Sequence, residues 1–358
     1  MTIKSRVHSI RRVSICLLAA AITGSTFLVA SATAAPRPSL TAPYSWSTIA
    51  LLSPWHSAQT AFGLGTPRAT IDAHGVVHLE GAASGGTSST NVAILPAQFR
   101  PSKLVYFPIA TDNGDSGELF IKPDGTMTVY GSPIAYASLA GLSYASMSST
   151  VSATPLTMQN GWVSENPIYS TGIPRVSATA TGIVSLTGSL GGGTASTQAF
   201  RLPAPYRPAN EILVPVYSYG GLDTSYLDIK PSGAVLPVGT LVSTFTSLAG
   251  VTFVSATSTL TMKTFTLQGT WMPSHTPKGG VDAHGTVHLE GSLQSGTSAE
   301  MFVLPPSLRP GHTIFEATGG NISESMISIT PAGVVSTYGA NAQSFTDVSG
   351  ITFQAAGS

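Results

Sequence analysis

The chain has few charged residues and a single cysteine. Only 9% of its 358 residues are charged, and 16 Lys and Arg balance 16 Asp and Glu. Proteins that bind nucleic acid carry a basic surface, so this balance gives no indication of a nucleic-acid partner. Cys16 lies in the N-terminal segment, which excludes disulfides and cysteine-based metal sites from the rest of the chain. Beyond that segment we find no capped window of helical periodicity.

The N-terminal segment has the pattern of a secretory signal peptide. Residues 1–12 carry four basic and no acidic side chains, and residues 13–34 are mostly apolar and end in small residues. We expect a signal peptide over residues 1–34, cleavage after Ala34 or Ala35, and a secreted protein. An uncleaved membrane anchor is the alternative, which the Gly, Ser and Thr residues of the apolar run disfavour. No later segment is apolar enough to predict a membrane span in the mature form.

Three copies of one sequence unit follow. The run GVVHLEG at residues 75–81 returns as GIVSLTG at 182–188 and as GTVHLEG at 285–291, at offsets of 107 and 103 residues. A period of this length is too long for a solenoid coil and matches an autonomous domain. We therefore predict three homologous domains, over residues 40–146, 155–255 and 263–358.

Within each copy, apolar and polar residues alternate, which is typical of half-buried strands. Val77 and Leu79 point to one side of a strand, whereas His78 and Glu80 point to the other. A Pro-x-Gly turn then joins two further alternating runs, as in a short hairpin with a bulge. About seven or eight strands per copy predict an all-β fold of three tandem antiparallel β-sandwiches, of jelly-roll or immunoglobulin-like kind, after the signal peptide.

Two residue types recur at matching places in every copy. The tryptophans are Trp55, Trp162 and Trp271, and the arginines that precede proline are Arg100, Arg207 and Arg309. We expect the tryptophans to close one end of each core, because large aromatic side chains dominate packing. We expect the arginines to cap loop carbonyls beside the turn, although contact with an anion or sugar is the alternative.

These motifs together resemble β-sandwich modules of phage tail-fibre and baseplate receptor-binding proteins, and of secreted actinobacterial tandem-repeat proteins. The resemblance covers the opening Trp, the Gly-x-Val-x-Leu-x-Gly strand, Leu-Pro with Arg-Pro, the Pro-x-Gly hairpin and the closing Gly-Ile-x-Phe. It implies non-catalytic attachment to a surface, often to a saccharide, and trimers are common among the phage relatives. We therefore expect the three copies to pack around a pseudo-threefold axis as an intramolecular pseudo-trimer.

One polar constellation occurs in the first copy and again in the third. The candidate ligand-binding residues are Asp72, His78, Glu80, Asp282, His288 and Glu290, with His74 and His284 nearby. In a strand, His74 and His78 would lie about 13 Å apart, so one metal ion cannot bridge them directly. The middle copy has Thr179, Thr181, Ser185 and Thr187 in their places. The fold does not need these residues, and they form either a solvated face or a recognition surface.

No catalytic set emerges from the sequence. There is no Gly-x-Ser-x-Gly elbow with His and acid partners, no phosphate-binding glycine loop, and no acid pair that can be placed in one cleft. The run at residues 112–115 lacks the spacing of a calcium loop. We predict a non-enzymatic protein without metal or cofactor that binds a glycan or cell-wall ligand. The alternatives are a structural protein that assembles in the extracellular envelope and, less favoured, a glycoside hydrolase.

Overall fold

The computed structural model describes residues 44–112, 115–219, 221–320 and 325–357, and the side chains of all of these except residues 221–224. The predicted signal peptide lies outside the described residues, as does the middle of the 112–115 run. In the described part the chain is nearly all β, with two four-residue α-helices, and every strand pairing is antiparallel. The predicted all-β fold is confirmed. Neither described helix is long and apolar enough to cross a bilayer.

The strands and helices follow the three sequence repeats. Repeat 1 contains β1 (Ser47–Thr48), β2 (His56–Ser57), α1 (Gln59–Phe62), β3 (Arg68–Ile71), β4 (Val76–Glu80), β5 (Ala82–Ser84), β6 (Thr90–Ile94), β7 (Val105–Asp112), β8 (Asp115–Ile121), β9 (Thr126–Tyr130), β10 (Tyr136–Ser138) and β11 (Ser143–Ala145). Repeat 2 contains β12 (Thr154–Pro155), β13 (Val163–Ser164), α2 (Asn166–Tyr169), β14 (Arg175–Ala178), β15 (Ile183–Thr187), β16 (Ser189–Gly191), β17 (Phe200–Arg201), β18 (Ile212–Ser218), β19 (Gly221–Ile229), β20 (Ala234–Val238), β21 (Thr246–Ser247) and β22 (Thr252–Val254). Repeat 3 contains β23 (Lys263–Thr264), β24 (Met272–Val281), β25 (Thr286–Gln294), β26 (Glu300–Val303), β27 (Ile314–Ala317), β28 (Gly319–Gly320), β29 (Met326–Ile329), β30 (Val334–Tyr338), β31 (Phe345–Asp347) and β32 (Thr352–Gln354).

Each repeat has two main layers of antiparallel strands, but the short strands join different layers. The counterparts of β5 and β10 belong to the second sheet in repeat 2 and to the first sheet in repeat 3. In repeat 1 one layer holds the order β1-β3-β4-β11 with the short β10-β5-β2 sheet, and the other holds β6-β9-β8-β7. Repeat 2 has β12-β14-β15-β22 and the longer β13-β16-β21-β18-β19-β20-β17. Repeat 3 has β23-β24-β25-β31-β28 and β26-β30-β29-β27, with β32 paired to β25. Each repeat has more strands than the seven or eight predicted, because several of its strands have only two or three residues.

Alternation along the strands fills the core as the sequence predicted. Val77 and Leu79 are buried, and so are Leu119 and Ile121 with their counterparts in the other repeats. Each repeat assembles its own cluster of buried apolar side chains from both layers. One expectation was wrong: Glu80 and His288, on the predicted outer sides of β4 and β25, are each only 5% exposed. Glu80 pairs with Arg68 of the neighbouring strand, and His288 lies 3.2 Å from Asp282.

The repeated tryptophans are core residues, as expected. Trp55, Trp162 and Trp271 are each less than 5% exposed. Each indole N–H has an acceptor: Thr90 Oγ1 at 2.9 Å, Thr197 Oγ1 at 3.0 Å and the Ser298 carbonyl at 3.1 Å, respectively. Burial of the ring thus leaves no unsatisfied donor, which is the usual condition for a tryptophan in a core.

The repeated arginines cap loop carbonyls, as expected. Arg207 Nε donates to the Leu202 carbonyl at 3.0 Å, and Arg100 and Arg309 make the equivalent bonds, each of 2.9 Å. The guanidinium also lies against Gly233 of the Pro-x-Gly turn, where an added Cβ would come within 2.6 Å of Arg207 Nε. The arginine therefore ties the end of one strand to a hairpin turn.

Replacement of this arginine tests its structural role. We expect Arg207→Ala to lower the free energy of unfolding by about 2 kcal/mol, because a carbonyl loses a charged donor. The control is Lys103→Ala, which replaces an exposed lysine of repeat 1 and for which we expect a change within about 0.5 kcal/mol. Urea denaturation of both variants measures the difference; equal losses would contradict the capping role.

Equivalent hydrogen bonds connect the three repeats in a closed cycle. Ser138 Oγ of repeat 1 donates to the Phe315 carbonyl of repeat 3 at 2.6 Å, and Ser247 Oγ of repeat 2 donates to the Tyr106 carbonyl of repeat 1 at 2.9 Å. At the third boundary the Leu213 N–H of repeat 2 donates to Asp347 Oδ2 of repeat 3 at 2.8 Å. Each bond thus joins the residue equivalent to Ser138 in one repeat to the strand equivalent to β7 in another.

Candidate functional site

Asp72 and Asp282 hold the turn that precedes the repeated strand. Asp72 Oδ1 accepts hydrogen bonds from the N–H groups of His74 and Val76, both at 2.8 Å. Asp282 Oδ1 accepts equivalent bonds at 2.9 and 3.0 Å. In repeat 2 the hydroxyl of Thr179 accepts one of them, from Ile183 at 3.0 Å. These aspartates therefore act as turn-capping residues, a role that a threonine fulfils more weakly.

The second carboxylate oxygen of each aspartate faces a histidine. His288 Nε2 lies 3.2 Å from Asp282 Oδ2, whereas His78 Nε2 lies 3.9 Å from Asp72 Oδ2. Burial opposes ionisation of Asp282, but the bond from His288 and the two backbone N–H groups lower the pKa of its carboxyl overall. His288 is only 5% exposed. The pair in repeat 3 is thus tight and nearly enclosed, and the pair in repeat 1 is looser.

Each candidate glutamate pairs with a cation of the adjacent strand. Glu80 pairs with Arg68 across β3 and β4, and Glu290 Oε2 lies 2.9 Å from Lys278 Nζ across β24 and β25. Burial raises the pKa of both carboxyls, and the neighbouring cation partly reverses the rise. Both glutamates therefore have internal partners, and neither projects freely from its sheet.

Tyr44 brings the polar sets of repeats 1 and 3 together. Its ring centroid lies 5.1 Å from that of His78 and 5.2 Å from that of His284, with an angle of 16° to the latter ring. Its hydroxyl lies 3.4 Å from His78 Nε2. Burial and then the charges of Asp282 and Asp72 raise the pKa of the phenol. Nothing in the sequence indicated the contact between Tyr44 and His284, because these residues are more than 200 positions apart.

This boundary offers little room for a ligand. A cavity of about 20 Å³ lies between repeats 1 and 3, lined in part by Trp46, His78, Glu80 and His312. That volume holds about one water molecule and excludes a sugar ring. Among the described residues no group of three or more His, Cys, Asp or Glu side chains could hold a metal ion. Ligand binding by the six candidate residues stays a prediction.

A second set of side chains joins two repeats through aromatic contacts. Four partly buried residues follow one another across the boundary of repeats 1 and 2, and we call them the aromatic row: Tyr130, Phe120, Tyr106 and Tyr217. Successive ring centroids are 5.5, 5.7 and 5.3 Å apart. Three members come from one sheet of repeat 1, and the fourth comes from repeat 2.

Strand pairing and the carboxyl of Glu118 position the row. Tyr106 and Phe120 are direct cross-strand partners on β7 and β8, and Tyr130 lies diagonally across on β9. Tyr217 sits at a register shift of β18 and donates its hydroxyl to Glu118 of repeat 1. Burial raises the pKa of this carboxyl, and the tyrosine bond opposes the rise.

Related aromatic contacts occur at the boundary of repeats 3 and 1, but without counterparts of Phe120 and Tyr217. There Phe62, Tyr136, Phe315 and Tyr338 are in sequential ring contact at 5.5, 5.3 and 5.9 Å. Aromatic packing at a boundary is therefore partly a means of joining repeats. At this boundary Ser328 of repeat 3 and Ala110 of repeat 1 occupy the positions equivalent to Phe120 and Tyr217.

The sequence contained a signal for the row that the repeat pattern concealed. Phe120 lies between the buried Leu119 and Ile121, so alternation places it on the outer face, where an aromatic residue is unusual. The repeat pattern does not mark Phe120, because the equivalent positions of the other repeats hold Asp228 and Ser328. Only the packing of β7 against β18 places Tyr106 beside Tyr217.

Comparison with known proteins adds no functional assignment. No protein-family model, no curated protein sequence and no solved structure matches this chain.

Proposed function

We propose that the chain is a secreted, non-catalytic binding protein that recognises a carbohydrate or another cell-surface ligand through its β-sandwich repeats. The aromatic row carries this proposal. Tyrosine and phenylalanine rings provide apolar area at small entropic cost, and the tyrosine hydroxyls add hydrogen-bonding groups at the same surface. The exposed parts of these partly buried rings offer apolar contact for the C–H groups of a saccharide and polar contact for its hydroxyls.

The cyclic contacts between repeats support a pseudo-threefold arrangement within one chain. Ser138, Ser247 and Asp347 are equivalent residues, and each joins its repeat to the same strand of another repeat. Such a ring fixes the relative positions of strands from different repeats. It would hold a binding surface shared by repeats 1 and 2 in one geometry, and preorganisation of this kind reduces the entropic cost of binding.

Binding of the exported protein to cell-wall preparations and to a broad glycan array tests the function. We expect retention on at least one carbohydrate surface, and a roughly tenfold or greater loss for the double variant Tyr106→Ala/Tyr217→Ala, since central aromatic residues dominate recognition energies. Tyr338→Ala, a half-exposed tyrosine of the other aromatic boundary, serves as the control. Absence of binding across both panels would contradict the proposal.

A structural role in assembly is a second candidate, favoured by exposed apolar side chains of repeat 2. Ile168 is 73% exposed, and Val163 and Tyr219 are about half exposed. Large exposed apolar side chains mark interaction sites in many proteins. Light scattering of the exported protein distinguishes the two roles: large assemblies that dissociate in Ile168→Ser would favour assembly, and a monomer would favour binding.

A further inference from the structure

We propose that Tyr44 is a clasp that closes the cycle of three repeats, at the boundary of repeats 3 and 1, where the peptide chain provides no link. The clasp is independent of what the protein binds. Two observations carry it: the segments that lead into the three repeats occupy equivalent places, and only the first of them brings an aromatic ring to the turn of another repeat.

Strand pairing identifies the residues that correspond to Tyr44 in the other repeats. β1 pairs with β3 in repeat 1 as β12 pairs with β14 in repeat 2 and β23 with β24 in repeat 3. The equivalent first residues of the outer strands are Ser47, Thr154 and Lys263. Tyr44, Val151 and Leu260 each lie three residues before them. The position is therefore aromatic in repeat 1 and aliphatic in the other two.

At two boundaries the chain itself crosses from one repeat to the next at this place. The Thr150 N–H, in the segment that leads into repeat 2, donates to the His74 carbonyl of repeat 1 at 2.9 Å. The Thr259 N–H, in the segment that leads into repeat 3, donates to the Thr181 carbonyl of repeat 2 at 3.1 Å. His74 and Thr181 are equivalent residues of the turn before the repeated strand. Here the peptide chain holds each repeat against the turn of the one before it.

Between repeats 3 and 1, contacts of the tyrosine ring take the place of this link. His284, the equivalent turn residue of repeat 3, stacks on Tyr44 with ring centroids 5.2 Å apart. Within repeat 1, His78 contacts the same ring at 5.1 Å, and Thr70 Oγ1 donates to the carbonyl of the neighbouring Ser45 at 3.0 Å. Tyr44 is thus anchored in repeat 1 and joins it to the turn of repeat 3.

The boundary beside the clasp contains unsatisfied polar groups. Trp46 and His312 line the cavity of about 20 Å³ there, and Trp46 Nε1 and His312 Nε2 are buried without a hydrogen-bond partner among the described residues. Groups of this kind gain hydration when a boundary opens, so they favour opening. The contact of Tyr136 with Phe315 holds another part of the boundary. Loss of the clasp should therefore open the boundary locally and not unfold the protein.

Hydrogen exchange at one amide of each boundary, measured by NMR on the exported protein, tests the clasp. The Thr313 N–H donates to the Gly63 carbonyl of repeat 1 at 3.2 Å, next to His312. The other boundaries have equivalent reporters: the Leu104 N–H donates to the Ser170 carbonyl at 3.3 Å, and the Leu213 N–H donates to Asp347. We expect Tyr44→Ala to speed exchange at Thr313 by about tenfold, since an aromatic contact is lost, and to leave the other two amides unchanged.

The two turn histidines provide a matched pair of variants. His284→Ala removes the ring that stacks on Tyr44 and should also speed exchange at Thr313. His74→Ala replaces the equivalent, exposed histidine of repeat 1, whose carbonyl makes the contact with the next repeat, and should leave all three amides unchanged. Tyr44→Phe keeps the ring and should stay within about threefold of the wild type at Thr313. This set decides the question even if Tyr44→Ala does not fold.

Three results would overturn the clasp. Unchanged exchange at Thr313 in His284→Ala and in Tyr44→Ala would show that other contacts close the boundary. Equal acceleration of all three amides would show a general loss of stability that is not confined to one boundary. The third result is a change at Leu104 in Val151→Ala as large as the change at Thr313 in Tyr44→Ala, because the peptide link would then add nothing.

Discussion

Replacement of Glu316 by valine should stabilise the protein at alkaline pH and have little effect in acid. Glu316 Oε2 faces Gly141 of repeat 1, where an added Cβ would lie 2.5 Å away. At the two equivalent contacts, Phe107 faces Gly250 and Val214 faces Gly350. Repeat 3 therefore places a carboxyl where the other repeats place an apolar side chain.

Burial raises the pKa of Glu316 to about 8, and the Thr352 N–H, at 3.4 Å, lowers it only in part. Its Oε1 is buried and has no hydrogen-bond partner among the described residues. Because the pKa is higher in the folded than in the unfolded state, the folded protein holds the proton more tightly. The stabilisation of the folded state by this tighter proton binding is complete below about pH 4.5. It is lost as pH rises through about 8.

Urea denaturation of the wild type and of Glu316→Val, at about pH 4, 7 and 9, measures the effect. We expect the difference in unfolding free energy to grow in favour of the variant by at most about 5 kcal/mol over this range. Glu300→Gln, which replaces an exposed acid of repeat 3, should leave the pH dependence unchanged. Parallel pH profiles for the wild type and Glu316→Val would contradict the assignment.

Asp347 gives the third repeat a second buried acid, at its boundary with repeat 2. Burial raises the pKa of this carboxyl to about 7, although the N–H groups of Ser349 and Leu213 both donate to it. Part of the pH dependence should therefore remain in Glu316→Val. Both boundaries of repeat 3 thus contain a carboxyl whose ionisation opposes folding, and alkaline conditions should weaken these two contacts first.

Replacement of Gly193 by alanine should cause a large loss of stability, because it forces a methyl group against a buried tryptophan. A Cβ at Gly193 would lie 2.3 Å from Cδ2 and Cε2 of Trp162. The indole cannot move aside, because it is 2% exposed and its N–H donates to Thr197. Gly86 and Gly296 have the same relation to Trp55 and Trp271.

We expect Gly193→Ala to lower the unfolding free energy by about 3 kcal/mol, the upper part of the usual range for an overpacked core. Gly311→Ala is the matched control, since its nearest neighbour would be 4.0 Å from the new Cβ. That variant should be neutral or slightly more stable, because alanine restricts the unfolded chain. A similar melting temperature for both variants would show that the indole is free to shift.

Local patterns of the sequence were sufficient for the strands and their buried sides. Alternation predicted that Leu119 and Ile121 point inward, and repetition predicted the roles of the tryptophans and of the arginines that cap loop carbonyls. These features depend on neighbours within one hairpin or one loop, so residues close in sequence determine them. The same reasoning misplaced Glu80, because an ion pair with Arg68 allowed a charged side chain to be buried.

The sequence by itself determined the all-β character of this chain, the threefold repetition of its sequence and the buried sides of its strands, since strand alternation and turn residues act over a few positions. Only the tertiary structure decided which surfaces of the units meet. The contacts of Tyr106 with Tyr217 and of Tyr44 with both His78 and His284 join residues from different repeats. Such contacts depend on how whole sheets pack against each other, and no periodicity within one repeat encodes that packing.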